Sequence, residues 1–111
     1  MTLIIGGAYQ NKYEWALSKY KEQNIWNDFH LFVKENLAAG KTSDEIKQVI
    51  ESKINSKPGI VIISDEIGCG IIPATKEERT YRETTGRLLC FIASKAESVY
   101  RITCGVEQKI K

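Results

Sequence analysis

The sequence predicts an α/β fold in which helices cover both faces of a mainly parallel sheet, in three layers. Two short apolar runs, residues 2–5 and 59–63, have the β-branched composition of buried strands. Segments whose apolar residues recur at helical spacing lie between these runs and after them. Strands that alternate with helices pair in parallel through right-handed crossovers, so one layered sheet accounts for the whole pattern.

The first part of the chain is predicted to contain one strand and two helices. The strand at residues 2–5 ends abruptly at a Gly-Gly-Ala sequence, and a helix over residues 12–22 follows. Residues 23–27 are interpreted as a connector, because the apolar Ile-Trp pair within it is too short for a proper strand. A second helix over residues 28–39 carries an apolar stripe and stops at Gly40, a residue type preferred just after helices.

Two capping boxes mark the starts of the remaining helices. Thr42 and Glu45 open a third helix that runs to about residue 54, and Thr75 and Glu78 open a long helix over residues 76–96. The third helix is expected to bury Ile46, Val49, Ile50 and Ile54. The long helix is expected to turn inward Tyr81, Thr85, Leu88, Ile92 and Ala96.

The later strands complete the prediction. Residues 60–63 form a fully buried strand, and residues 98–104 form another after the long helix. Gly105 then turns the chain into a last short strand over residues 106–110. Because the length suits one core, residues 1–111 are expected to form a single domain.

The composition argues against several classes of protein. The formal net charge of +2 is too small to imply a nucleic-acid or membrane partner. No run is long enough for a membrane-spanning helix, and no basic segment precedes the apolar start as in a signal peptide. The cysteines, at positions 69, 90 and 104, lack C-x-x-C spacing. We therefore expect reduced thiols, a cytoplasmic protein and no metal site.

Acids and glycines follow the buried strand at residues 60–63. In open α/β sheets, ligands bind at the carboxyl ends of the strands, so Asp65, Gly68 and Gly70 are assigned to a candidate ligand loop. Glu66 is a candidate functional carboxylate that would accept a hydrogen bond from a ligand hydroxyl or amine. The alternative is a carboxylate that only caps the next turn.

Residues 6–13, hereafter the 6–13 loop, lie between the first strand and the first helix, where a phosphate-binding loop belongs. In the pattern G-x-x-x-x-G-K-[ST], backbone N–H groups bind phosphate, Lys neutralises it and the hydroxyl holds Mg²⁺. Gly6 and Lys12 match this pattern, whereas Asn11 and Tyr13 break it. Asn tolerates a positive φ, but a phenol oxygen lies too far from its backbone to replace the hydroxyl. A tight turn that binds nothing is the alternative.

Four motifs in the second half, from Asp65 to Tyr100, keep a common spacing without gaps. They are Asp-Glu-Ile-Gly-Cys-Gly-Ile-Ile-Pro at 65–73, Tyr-Arg-Glu at 81–83, Thr-Gly-Arg at 85–87 and Ala-Glu-Ser-Val at 96–99. They resemble Asn-Glu-Val-Gly-x-Gly-Ile-Val-Pro, aromatic-Arg-Asp, Ala-Gly-Arg and Ala-(Asp/Glu)-x-Val of the bifunctional adenosylcobinamide kinase / adenosylcobinamide-phosphate guanylyltransferase family of cobalamin biosynthesis.

The resemblance implies a P-loop NTPase-like (RecA-like) domain, shortened relative to the family, that assembles as a homo-oligomer, a trimer in the family. It implies ATP or GTP as the nucleotide and a corrinoid, cobinamide, as the substrate. The 6–13 loop then becomes a degenerate P-loop, and the lost hydroxyl disfavours Mg²⁺. The candidate nucleotide-binding residues are Gly6, Gly7, Ala8, Tyr9, Gln10, Asn11, Lys12 and Tyr13.

Few other functional residues of the family have counterparts here. Asp28 is the nearest equivalent of the family's Mg²⁺-associated Asp, with a plain helix N-cap as the alternative. The only histidine, His30, lies inside a predicted helix, in a context unlike that of the family's GMP-accepting histidine. Arg82 and Arg87 are candidate phosphate ligands or part of a solvated or subunit-facing surface. The candidate catalytic residues are Lys12, Asp28 and Glu66.

Two functions follow from these expectations. The first is a nucleotide-dependent adenosylcobinamide kinase with an impaired guanylyl step. The second is a catalytically inactive relative that serves as a nucleotide- or corrinoid-binding module or as a subunit-interaction module. The broken loop pattern and the missing acceptor histidine favour the second.

Overall fold

A computed structural model describes residues 1–67 and 75–111. Five strands and four α-helices lie within these ranges, with a short 3₁₀ helix at Glu22–Asn24. The strands are β1 (Thr2–Gly6), β2 (Ile25–Trp26), β3 (Val61–Asp65), β4 (Ser98–Thr103) and β5 (Val106–Lys109). The helices are α1 (Lys12–Lys19), α2 (Phe29–Ala38), α3 (Ser43–Ser56) and α4 (Lys76–Lys95).

The strands form one sheet in the order β2-β3-β1-β4-β5. The first three pairings are parallel, and only β4 and β5 form an antiparallel hairpin. In the register of β1 with β3, Gly6 lies opposite Asp65, so the carboxyl ends of these two strands lie side by side. The predicted α/β class with a mainly parallel sheet is confirmed.

Helices lie on both faces of this sheet. Leu3 and Ile62 belong to the larger buried cluster, with residues of α2, α3 and α4. Their neighbours Ile4 and Val61 belong to a smaller cluster, with Ala16 of α1. Successive residues of a strand point to opposite faces, so α1 covers one face and the other three helices cover the second. This arrangement is the predicted three-layer sandwich.

Three local predictions need correction. The first helix ends at Lys19 rather than at residue 22, because Tyr20 adopts an extended backbone with φ −131°. The Ile25–Trp26 pair, expected to be too short for a strand, pairs in parallel with β3. Val49, expected to be buried, is 37% exposed, because α3 turns only Ile46 and Ile50 fully inward.

The capping box of α3 forms as predicted. The Thr42 hydroxyl accepts the Glu45 N–H at 3.2 Å, and the Glu45 carboxylate accepts the Thr42 N–H at 3.0 Å. The latter hydrogen bond lowers the pKa of Glu45, so the carboxylate stays charged to a lower pH than that of an ordinary glutamate. Within the described ranges, no helix combines the length and apolarity needed to cross a bilayer.

We expect Thr42→Ala to lower the free energy of unfolding by about 1 kcal/mol, because the first turn of α3 loses its side-chain acceptor. Urea denaturation followed by circular dichroism measures the change. Ser43→Ala is the matched control, since Ser43 lies one residue inside the helix and does not provide the cap. Equal losses in the two variants would contradict the capping role.

Candidate functional site

The 6–13 loop leaves β1 with two residues in the left-handed region of the backbone. Tyr9 has φ 59° and Asn11 has φ 66°. Asn11, where the loop pattern has its second glycine, thus adopts the positive φ that asparagine tolerates. Among the described residues, the N–H groups of Gly7, Ala8 and Tyr9 donate no hydrogen bond to another described group, and residues 8 and 9 form a tight turn. The loop therefore has three backbone donors that a ligand could use.

The turn between β4 and β5 braces the 6–13 loop. The Cys104 N–H donates to Gln10 Oε1 at 2.6 Å, and the Gly105 N–H donates to the Gln10 carbonyl oxygen at 3.0 Å. Cys104 and Gly105 reach these positions through left-handed φ values of 52° and 76°. The hairpin thereby holds one end of the loop at both its main chain and a side chain.

Gly6 packs so closely against β4 that no side chain fits. A Cβ on Gly6 would lie 2.5 Å from the backbone oxygen of Ile102 and 3.2 Å from Cδ of Lys12. The Lys12 side chain therefore passes directly over the end of β1. This path brings its ammonium group toward the carboxyl edge of the sheet.

Lys12 is the first residue of α1, and only 8% of it is exposed. Its Nζ donates to the Gly7 carbonyl oxygen at 2.6 Å and lies 2.7 Å from Oδ1 of Asp65. The ammonium group is thus held between the loop and the end of β3. A positive charge so placed can neutralise an anion bound by the loop.

Asp65 also contacts His30 of α2. The Asp65 N–H donates to His30 Nδ1 at 3.1 Å, and His30 Nε2 lies 3.4 Å from Asp65 Oδ2. His30 is 8% exposed. Because its Nδ1 accepts a hydrogen bond, the ring proton lies on Nε2, facing the carboxylate.

Tyr13 turns away from the 6–13 loop. Its ring packs against the smaller core cluster, on the face covered by α1. Its hydroxyl lies 3.5 Å from Oε1 of Glu22, next to the 3₁₀ helix. The position that carries a Ser or Thr hydroxyl in the phosphate-loop pattern therefore supplies no oxygen to the loop.

Glu66, the predicted functional carboxylate, is paired. Its N–H donates to the Gly6 carbonyl oxygen at 2.8 Å, and Arg101 Nε donates to its Oε1 at 2.8 Å. Arg101 lies on β4, opposite Ile5 of β1. This arginine was missed at the sequence level, because only the order and register of the strands bring it to Glu66.

The other predicted site residues are dispersed. Asp28 takes the N-cap position of α2 with φ 56°, is exposed and forms no side-chain cap hydrogen bond. It follows β2, which β3 separates from β1. Arg87 is exposed on α4. Gly68 and Gly70 lie outside the described residues, where the structure tests nothing about them.

A groove of about 750 Å³ lies between α2 and the first turns of α4. Leu37 and Tyr81 line it, together with the basic side chains of Lys34 and Arg82. Burial raises the pKa of Tyr81, and the negative charge of Asp65 adds to this effect. Tyr81 is therefore within electrostatic reach of Asp65. Among the described residues, no cluster of three metal-ligating side chains occurs.

Comparison with a family model finds similarity to known proteins in the part of the chain that follows the 6–13 loop. A family model described as cobinamide kinase / cobinamide phosphate guanyltransferase matches residues 21–110. The bifunctional adenosylcobalamin biosynthesis protein CobU of Salmonella typhimurium is 31% identical over 68 residues, covering 61% of this chain and 38% of that protein. The protein of the same name from Escherichia coli is 30% identical over 67 residues, covering 60% and 37%. The matched stretch is thus less than two thirds of either relative.

We expect Gly6→Ala to lower the free energy of unfolding by about 1–3 kcal/mol, because the added methyl group meets a backbone oxygen that cannot rotate away. Gly86→Ala is the matched control, since a Cβ on Gly86 would have nothing within 4 Å. Gly86 lies inside α4, where alanine is the better helix former, so this variant should gain about 0.5–1 kcal/mol. Urea denaturation measures both. Similar effects in the two variants would contradict the close approach of β1 and β4.

Proposed function

Because the chain belongs to the cobinamide kinase / cobinamide phosphate guanyltransferase family, we propose that it binds the phosphates of ATP or GTP at the 6–13 loop. The family match begins at residue 21, so this proposal is supported by the geometry of the loop itself. The observation that carries it is the placement of Lys12 at the start of α1, with its ammonium group at the carboxyl ends of β1 and β3.

Two further features support phosphate binding. The N–H groups of residues 7–9 have no acceptor among the described residues, and they lie just before the N-terminus of a helix. Such amides and the positive end of the helix dipole are the groups that bind phosphate oxygens in loops of this kind. The hairpin brace at Gln10 limits the freedom of the loop before a ligand arrives. A preordered loop loses less conformational entropy on binding.

The groove between α2 and α4 is the proposed site of the second substrate. The curated relatives are adenosylcobalamin biosynthesis proteins, so we propose a corrinoid alcohol, adenosylcobinamide, as the phosphate acceptor. The groove has apolar, basic and acidic walls, and Tyr81 in its wall is within electrostatic reach of Asp65. Lys12 would neutralise the transferred phosphate, and Glu66 would accept a hydrogen bond from a ligand hydroxyl. Asp28 stays a candidate only as the nearest equivalent of the family's Mg²⁺-associated Asp. Assembly of the chain as a homo-oligomer remains a prediction.

The guanylyl step is proposed to be impaired. GMP transfer to a histidine requires a ring nitrogen that can reach the α-phosphate with a free lone pair. In His30, the lone pair of Nδ1 accepts the Asp65 N–H, and Nε2 carries the proton. His30 is also buried, with 8% of its surface exposed. His30 is therefore a poor acceptor for GMP.

A second function is favoured by one observation. The Tyr13 ring packs against the smaller core cluster and its hydroxyl lies away from the loop, so Mg²⁺ loses a direct protein ligand. A protein that binds nucleotide or corrinoid without turnover would need no such ligand. Product formation decides between this binding module and the kinase.

We expect ATP and GTP to give saturable heats in calorimetric titration, and Lys12→Gln to weaken both at least about tenfold through loss of the ammonium group. Lys19→Gln is the matched control, because Lys19 is exposed in the last turn of α1. Flat traces for both nucleotides would refute nucleotide binding. Incubation with adenosylcobinamide, Mg²⁺ and γ-labelled nucleotide then separates the two functions: labelled product indicates the kinase, and binding without product indicates the module.

A further inference from the structure

Three ionisable side chains from separate elements meet at one point near the 6–13 loop. Lys12 begins α1, Asp65 ends β3 and His30 lies in the first turn of α2. Lys12 and His30 are each 8% exposed, and the Asp65 side chain is 25% exposed. We propose that His30 is a positioning residue that holds Asp65 on Lys12, and that this pair is a resting contact which an incoming phosphate must displace. The proposal rests on the proposed function for its ligand but not for its geometry.

The geometry determines what each contact does. Asp65 Oδ1 lies 2.7 Å from Lys12 Nζ, the distance of a direct charged hydrogen bond. The other carboxylate oxygen faces His30 Nε2 at 3.4 Å. The Asp65 backbone N–H is fixed by His30 Nδ1. The imidazole ring thus fixes the main chain of Asp65 by a hydrogen bond and lies against its carboxylate.

The pairing has a direct consequence for anion binding. The ammonium group of Lys12 already has an anionic partner inside the protein, and a phosphate competes for the same charge. Removing the Asp65 charge should therefore strengthen phosphate binding, although the substitution deletes a charge–charge contact. An ordinary structural ion pair predicts the opposite, because its loss would destabilise the loop and weaken any ligand that depends on it.

The chemical reactivity of Lys12 tests the resting contact without any nucleotide. Acylation by acetic anhydride, read residue by residue by mass spectrometry, reports how freely each amine is available, with exposed Lys19 as the internal standard. We expect Asp65→Asn to raise the relative acylation rate of Lys12 roughly 5- to 10-fold, which corresponds to the loss of one partly buried ion pair. Glu51→Gln, the same charge change on the exposed face of α3, should leave this rate unchanged. An unchanged rate in Asp65→Asn overturns the proposal.

Two histidine variants test the positioning role. His30→Asn keeps an acceptor near the place of Nδ1 and should stay close to the parent protein in Lys12 reactivity. His30→Ala removes both contacts with Asp65, so its Lys12 acylation rate should rise toward the rate in Asp65→Asn. Thermal unfolding is measured alongside, because a merely structural histidine would lower the melting temperature in both variants without this difference in reactivity. Equal Lys12 reactivity in the two histidine variants counts against positioning.

The displacement step is tested by measuring the binding of inorganic tripolyphosphate. We expect Asp65→Asn to bind tripolyphosphate roughly 5- to 10-fold more tightly than the parent, and Glu51→Gln to bind it equally well. Weaker binding in Asp65→Asn overturns the displacement step. If the parent and Asp65→Asn both fail to bind while Lys12 reactivity changes as expected, the proposed function fails and the resting contact stands. If Lys12 reactivity does not change while the parent protein binds nucleotide, the resting contact fails and the proposed function stands.

Discussion

The ion pair of Lys12 and Asp65 depends on one constraint, the parallel register that sets Gly6 opposite Asp65. A shift of one residue would turn Asp65 to the other face of the sheet, because side chains alternate along a strand. Lys12 would then lose its anionic partner, and His30 would lose the N–H that it accepts. The register is in turn held by apolar residues of β1 and β3 that alternate between the two core clusters. Core packing therefore decides the electrostatics at the edge of the sheet.

Much of the fold could be predicted because its determinants are local. The Thr42 capping box, the stop at Gly40 and the apolar β3 each depend on a few adjacent residues. The errors arose where distant segments decide the outcome. The two residues of β2 form a strand only because β3 offers an open edge, and the exposure of Val49 depends on how α3 meets its neighbours.

The candidate site was less predictable than the fold. The loop pattern located Lys12, but the sequence could not show that Asp65 and His30 are its neighbours. His30 and Asp65 are 35 positions apart, and both are far from Lys12 along the chain. The contact of Arg101 with Glu66 could likewise not be predicted, because it depends on the order of the strands. Contacts of this kind depend on chain topology rather than on local composition. By contrast, the positive φ of Asn11 could be anticipated from the conformational preference of asparagine alone.

The hairpin brace of the 6–13 loop has a consequence for biogenesis. Gln10 and Cys104 are 94 positions apart, yet a hydrogen bond between them helps to shape the loop. On the ribosome, residues 6–13 emerge long before their brace has been synthesised. The loop therefore acquires its final form only when the β4–β5 turn is in place.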